Sequence, residues 1–140
     1  MVSKSRLLIE RVPFGFLYPS GPTCGVPVKE GEYLNLLKSS HGLAWRQSKD
    51  DPRGVYEFVL HRYRDGSYTH LLRIESGVEM AEPVSHEFYE EAFYISGKML
   101  NTKTRKAITG GDYVFHSPGE EHGPFRCVEE CLILEFRYFK

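Results

Sequence analysis

A chain of 140 residues is long enough to bury the core of one ordinary domain and too short for two. Hydrophobic residues make up 41% and charged residues 26%, a globular balance that speaks against both a disordered and a membrane-embedded chain. The formal net charge of −1 supplies no basic field, so no nucleic-acid partner is expected.

The opening MVSKSRLLIERVPFGF lacks the long apolar stretch and small-residue cleavage site of a signal peptide. No later run approaches the roughly 20 apolar residues that span a bilayer, and the expected location is the cytoplasm, with no membrane partner. YPSGPTCGVP is dense in Pro and Gly and must be irregular. GEYLNLLKSS suits one or two turns of helix, or an extra strand. Residues 1–53 are therefore read as an arm packed on a body formed by residues 54–140, one domain overall. Cys24, Cys127 and Cys131 are odd in number and form no CxxC pair. That pattern suggests neither a disulfide framework nor a thiolate zinc site, and reduced, buried thiols are expected.

From about residue 55 the chain reads as strand after strand. VYEFVLHRY and SYTHLLRIE flank RDGS, where Asp65-Gly66 predicts a tight hairpin turn. EEAFYISG and KML lead through the polar turn NTKT to KAI. GGDYVFHSPG and CLILEFRYF supply two more runs, the last alternating Leu132, Leu134, Phe136 and Tyr138 on one side. Short strands punctuated by Gly and Pro, without a long helix, predict an all-β sandwich or barrel.

Within this pattern HEFYEEAFYISG, His86 to Gly97, carries a histidine and a glutamate on an otherwise apolar segment. In a strand, His86 and Glu90 share a face about 13 Å apart unless the strand bends or bulges. Burying them without partners costs kilocalories, so a partner is expected. A second polar cluster, GDYVFHSPGEEHGPF, brings His116 and His122. Neutral imidazoles and an ionised carboxylate are good ligands, and a divalent cation offsets the cost of burying them. Without a cation the same side chains would form an internal hydrogen-bonded network.

The two clusters together resemble the paired motifs of the cupin superfamily, small jelly-roll barrels. Gly77 opens the first motif with one extra residue of spacing; His86 takes its second histidine, Glu90 its glutamate and Gly97 its closing glycine. In the second motif Gly111, Gly119 and His122 match, and Ser117 replaces the usual proline beside Pro118. The resemblance runs from about Gly54 to Tyr138 and implies a cupin jelly-roll barrel of two antiparallel sheets. One position departs: the first histidine of the motif is Val84, which cannot bind metal.

The resemblance thus implies a reduced ligand set of His86, Glu90 and His122, with His70 as a fourth ligand should it turn inward. Two histidines and a carboxylate form the facial set of non-haem Fe(II) oxygenases; Zn(II), Ni(II) and Mn(II) also suit these donors. Arg126, if extended, shares a face with His122 and would clamp an anionic substrate; Phe88, Tyr94, Phe115 and Phe125 would wall a pocket for an aromatic or acyl group. Glu91 alternates to the opposite face, where solvent or a basic side chain would meet it, and His116 has a structural role before the Ser-Pro-Gly turn.

YTHLLRIESG, EEAFYISG and SPGEEHGPF look most like a group containing β-diketone-cleaving dioxygenases, dihydroxyacetophenone dioxygenases and the sensor cupin of certain anti-sigma factors. The leading expectation is an Fe(II)-dependent dioxygenase of a small carbonyl or phenolic compound, with His86, Glu90 and His122 at its centre. A non-catalytic metal- or ligand-binding sensor is the second reading, and a metal-assisted lyase, isomerase or cyclase the third. Cupins often pair, so a homodimer is expected.

Overall fold

The computed structural model describes residues 28–140. Cys24 and the whole Pro/Gly-rich stretch, residues 18–27, lie outside them. The described residues form eight strands: β1 Arg46–Gln47, β2 Val55–Arg62, β3 Tyr68–Ile74, β4 Glu79–Met80, β5 Tyr89–Asn101, β6 Ala107–Thr109, β7 Tyr113–His116 and β8 Phe125–Tyr138. All pairings are antiparallel, in the order β1-β2-β3-β8-β5-β6, with β4 on β8 and β7 on β5. Pairing is continuous, and β5 and β8 link its two halves. The C-terminal part of β5 and the N-terminal end of β8 meet β6 and β4, and the N-terminal part of β5 and the C-terminal part of β8 meet β7 and β3.

The turns follow from the sequence. In the β2–β3 hairpin Gly66 takes φ 91° and Ser67 N donates to Asp65 Oδ1 at 2.8 Å, which closes the expected turn. After β5, Lys103 N and Thr104 N both donate to Asn101 Oδ1. GEYLNLLKSS resolves as helix: α1, Leu36–Ser39, starts at Asn35, whose side chain accepts from Lys38 N at 2.8 Å, and a 3-10 turn Ser40–Gly42 continues it.

The sheet curls so that its inner face carries the main core: Val55, Ile74, Tyr94, Met99, Cys127, Cys131 and Ile133. Cys127 and Cys131 are free buried thiols, as expected. A second cluster of Phe58, Leu71 and Leu132 lies on the outer face under Leu34, Leu36, Leu43 and Trp45. The segment before β2 therefore covers apolar surface that the alternation in β2, β3 and β8 would leave wet. It also contributes β1 to the sheet.

Candidate metal centre

Strand register builds one wall of the site. Arg62 pairs with Tyr68, Tyr68 with Arg137, Arg137 with Glu90 and Glu90 with His116, so one row crosses β2, β3, β8, β5 and β7. The next row sets His70 opposite Glu135. Because side chains alternate, the inward face of β8 reads Cys131, Ile133, Glu135, Arg137: apolar at one end, charged at the other.

His86 does not lie in a strand. β5 begins at Tyr89, and the preceding residues bend. The bend removes the 13 Å separation of an ideal strand and brings His86 Nε2 to 3.3 Å from Glu90 Oε2. Backbone pairing holds the bend in place. Val84 and His122 exchange two hydrogen bonds of 2.9 Å, and Gly119 N donates to the His86 carbonyl at 2.8 Å. The segment before β5 is thus zipped to the Ser-Pro-Gly turn, and the imidazoles of His86 and His122 lie with centroids 4.9 Å apart.

Both rings are fixed in one tautomer. His86 Nδ1 donates to the Phe88 carbonyl at 3.0 Å and His122 Nδ1 to the Glu120 carbonyl at 3.2 Å. A carbonyl only accepts, so each Nδ1 carries the proton and each Nε2 presents a lone pair to the interior. Phe88 stacks on His86 and His116 on His122, each pair at 3.9 Å.

These residues fit a divalent cation. His86 Nε2 is buried with no hydrogen-bond partner, an orphan that a metal would satisfy. His122 Nε2 lies 3.9 Å from Glu90 Oε1, and the three ligand atoms all fall within 4.8 Å of one another. Ligands bound at about 2.0–2.2 Å stand roughly 3 to 3.5 Å apart, so a small contraction completes the set. Burial lowers the pKa of both His86 and His122, which keeps them in the neutral, metal-binding form. Burial, then the charge of Glu135, pushes Glu90 up to about 8 against the pull of Arg137. Arg137, 3.5 Å from Glu90 and shared with Glu135, thus offsets only part of the cost of burying the three donors.

Beside them lies a buried charged network. His70, 1% exposed, places Nε2 2.9 Å from Glu135 Oε1 and Nδ1 3.4 Å from Glu57 Oε2. Glu57 also accepts from Arg46, Glu135 accepts from Arg137 Nε, and Arg137 Nη1 donates to the Tyr68 hydroxyl at 3.0 Å. His70 does point inward, but both its ring nitrogens are taken by carboxylates, which removes it from the ligand set.

The candidate ligands and this network line one cavity of about 400 Å³, whose apolar wall includes Leu72, Met80, Val84, Tyr94 and Met99. Phe88 and Phe125 line it too. Arg126 and Phe115 do not. Arg126 is 56% exposed on β8 and faces Glu79 at 3.6 Å, because Cys127, its neighbour, takes the inward position. Phe115, 44% exposed, stacks on Tyr89 on the outer face. Glu91 also faces outward, where the Tyr113 hydroxyl donates to it in place of a basic partner. His116 stacks behind His122, with Nδ1 3.5 Å from Glu120 Oε1.

Sequence reading missed Glu57, Tyr68, Glu135 and Arg137. The available signal was the alternation of Ile133, Glu135 and Arg137 against Leu132, Leu134 and Phe136, which places charge on one face of β8. That pattern ordinarily marks a solvent face.

A family model described as the ChrR cupin-like domain matches residues 35–138. The chain belongs to that family. No curated protein matches the cupin chain in sequence. Among solved structures it is similar to an acetylacetone dioxygenase from Acinetobacter johnsonii, at 19% identity and TM-score 0.59 over 82% of this chain and 78% of the other. It is also similar to the complex of Rhodobacter sphaeroides SigE with the anti-sigma ChrR, at 19% identity and TM-score 0.54. That match covers 67% of this chain and 49% of the other, so this cupin spans about half of that neighbour. The polyketide cyclase RemF of Streptomyces resistomycificus matches at 19% identity and TM-score 0.52, over 65% of this chain and 71% of the other. At such identities the likeness establishes the jelly-roll fold and leaves the activity to the site.

Proposed function

We propose that this cupin is a metal-dependent dioxygenase, with Fe(II) as its metal, acting on a small carbonyl or phenolic compound. The observation that carries the reading is a set of two imidazoles and one carboxylate, His86, Glu90 and His122, converging beside a cavity of about 400 Å³. Three protein donors leave coordination positions for substrate and dioxygen, and Val84 in place of a fourth ligand keeps that side clear. Bound Fe(II) would supply Lewis acidity toward the substrate's oxygens and the redox chemistry that dioxygen demands.

The protein's own part is to bind, orient and exclude water. Phe88, Phe125, Met80 and Tyr94 give an apolar wall for the substrate's carbon frame. The Tyr68 hydroxyl lines the same cavity and is held by Arg137 Nη1, so a polar group of fixed orientation lies near the metal ligands. The dioxygenase similarity, with its 82% coverage of this chain, supports the reading. A sensor role is the second reading, supported by the ChrR cupin-like family model itself.

The test is to reconstitute the purified protein with Fe(II), determine metal by mass spectrometry, and follow oxygen uptake with β-diketones and hydroxyacetophenones. Stoichiometric iron and substrate-dependent uptake are expected in the wild type, with both abolished in the double variant His86→Ala/His122→Ala. Bound metal with thermal stabilisation by ligand but no uptake would favour the sensor. Product formed at an undiminished rate without oxygen would favour a lyase, isomerase or cyclase. Neither metal nor uptake defeats the proposal.

A further inference from the structure

Arg137 has no place in the ligand set, yet it touches both sides of it. Its Nε lies 3.5 Å from Glu90 Oε2, the same oxygen that stands 3.3 Å from His86 Nε2. Its guanidinium carbon lies 5.1 Å from the centre of the Phe88 ring, and Phe88 in turn stacks on His86 at 3.9 Å and an interplanar angle of 5°. One cation therefore abuts a ligand carboxylate directly and a ligand imidazole through an aromatic ring. The guanidinium is itself fixed: Glu135 accepts from Nε, and Nη1 donates to the Tyr68 hydroxyl. Glu135 is anchored behind it by His70, which is bonded to Glu57.

We infer that Arg137 is the positioning residue of the candidate metal centre, holding the Glu90 carboxylate and the Phe88–His86 stack in the geometry that receives a divalent cation. The inference rests on the metal-site reading above and adds a residue that neither the cupin motifs nor the ligand cluster contains. The register fixes the arrangement, since Arg137 is the cross-strand partner of both Tyr68 and Glu90. Chemistry explains the residue type. A planar fork can serve Glu135, Glu90 and Tyr68 from one rigid group, whereas an ammonium is a point charge on a flexible stem. A carboxylate with no such neighbour would be free to turn Oε2 away from His86. Outer groups that orient metal ligands are commonly worth 10- to 100-fold in affinity.

The probe is Co(II), titrated into metal-free wild type, Arg137→Lys, Arg137→Met and Glu90→Gln, with affinity and the visible ligand-field spectrum as readouts. Circular dichroism and denaturation of each metal-free protein report folding separately. Wild type is expected to bind one Co(II), and Glu90→Gln to bind it far more weakly. Arg137→Met should bind at least about 10-fold more weakly than wild type, with an altered spectrum, and Arg137→Lys should recover part of the affinity. Equal affinity and an unchanged spectrum in Arg137→Met, with wild type binding normally, overturn the positioning role alone. No binding by wild type overturns this role together with the metal site. Should Arg137→Met fail to fold, Arg137→Lys decides, since wild-type affinity and spectrum in that variant would also overturn the role.

Discussion

The residue whose surroundings differ most from a sequence reading is His70. It lies on the inner face of β3 between Glu57 of β2 and Glu135 of β8, with Arg137 of β8 and the Tyr68 ring, 4.9 Å away, completing its surroundings. Burial lowers its pKa, but the charge of Glu135 and the bonds to both carboxylates outweigh burial and raise it above 6.5. The hydrogen bond to His70, reinforced by Arg46 and opposed by burial, holds Glu57 down at about 2. A raised histidine gives stability that is complete below its unfolded pKa, near 6.5, and lost as pH rises through the folded value. A depressed carboxylate gives stability that is complete above 4.5 and lost as pH falls toward 2. The two contributions are both present between pH 4.5 and 6.5, and the loss of the Glu57 share should lower the denaturant midpoint as pH falls from 4.5 toward 2. Glu57→Gln should lower the midpoint at neutral pH and flatten the acid limb. An acid limb of unchanged steepness would mean that Glu57 does not carry it. The cluster of His86, Glu90 and His122 was legible in the sequence because the motif spacing ties these residues to glycines and a turn. His70 and Arg137 were not, because their roles depend on partners on other strands, Glu57 and Glu135 for His70, Tyr68 and Glu90 for Arg137, and register cannot be read from one strand.

At the scale of elements, β5 and β8 decide the architecture. Each runs through a zone of register shifts, between Tyr94 and Met99 on β5, against the segment Cys127 to Ile133 on β8. Gly97 sits at the crossing with φ 96°; a Cβ there would meet the Glu130 carbonyl oxygen at 2.2 Å and Cys131 Cα at 2.6 Å. Both obstacles are backbone, so neither can rotate away. Gly97→Ala should cost about 2–4 kcal/mol in chemical denaturation, from backbone strain plus overpacking. Gly111 offers the control. It has the same φ of 96°, but its Cβ would enter open space, so Gly111→Ala should cost only about 1–2 kcal/mol. Equal costs would show that close approach at the crossing contributes nothing. The same crossing explains a misreading. The strand CLILEFRYF was visible from its alternation, but β8 starts at Phe125, since residues 125–130 carry charges and a bulge that break the period of two. In β5, EEAFYISG and KML read as separate pieces because Gly97 interrupts the pattern, and they prove to be one strand.

The described residues form a chamber, charged at one end and apolar at the other, inside a sheet whose apolar residues are divided between two faces. Loss of interior space to charged groups shifts part of the stabilising burial outward, onto Phe58, Leu71 and Leu132. That outer cluster needs a cover, which Leu34, Leu36, Leu43 and Trp45 provide. Trp45 is the single tryptophan of the chain. Its ring stands 6.4 Å from Phe58 in an edge contact, its Nε1 donates to the Ser40 carbonyl at 2.7 Å, and the Arg73 guanidinium lies 5.5 Å from its centre. The fluorescence of the protein's tryptophan therefore reports on the covering segment, while far-UV circular dichroism reports on the sheet. If cover and barrel share one hydrophobic economy, they unfold together, and the two signals should give one midpoint in urea. If the candidate site holds a divalent cation only in the folded barrel, Co(II) should move both curves upward by the same amount, rising with the logarithm of its free concentration above saturation. A tryptophan transition that precedes the loss of β structure and ignores Co(II) would instead make the segment a loosely attached arm, with the Phe58 cluster stable without it.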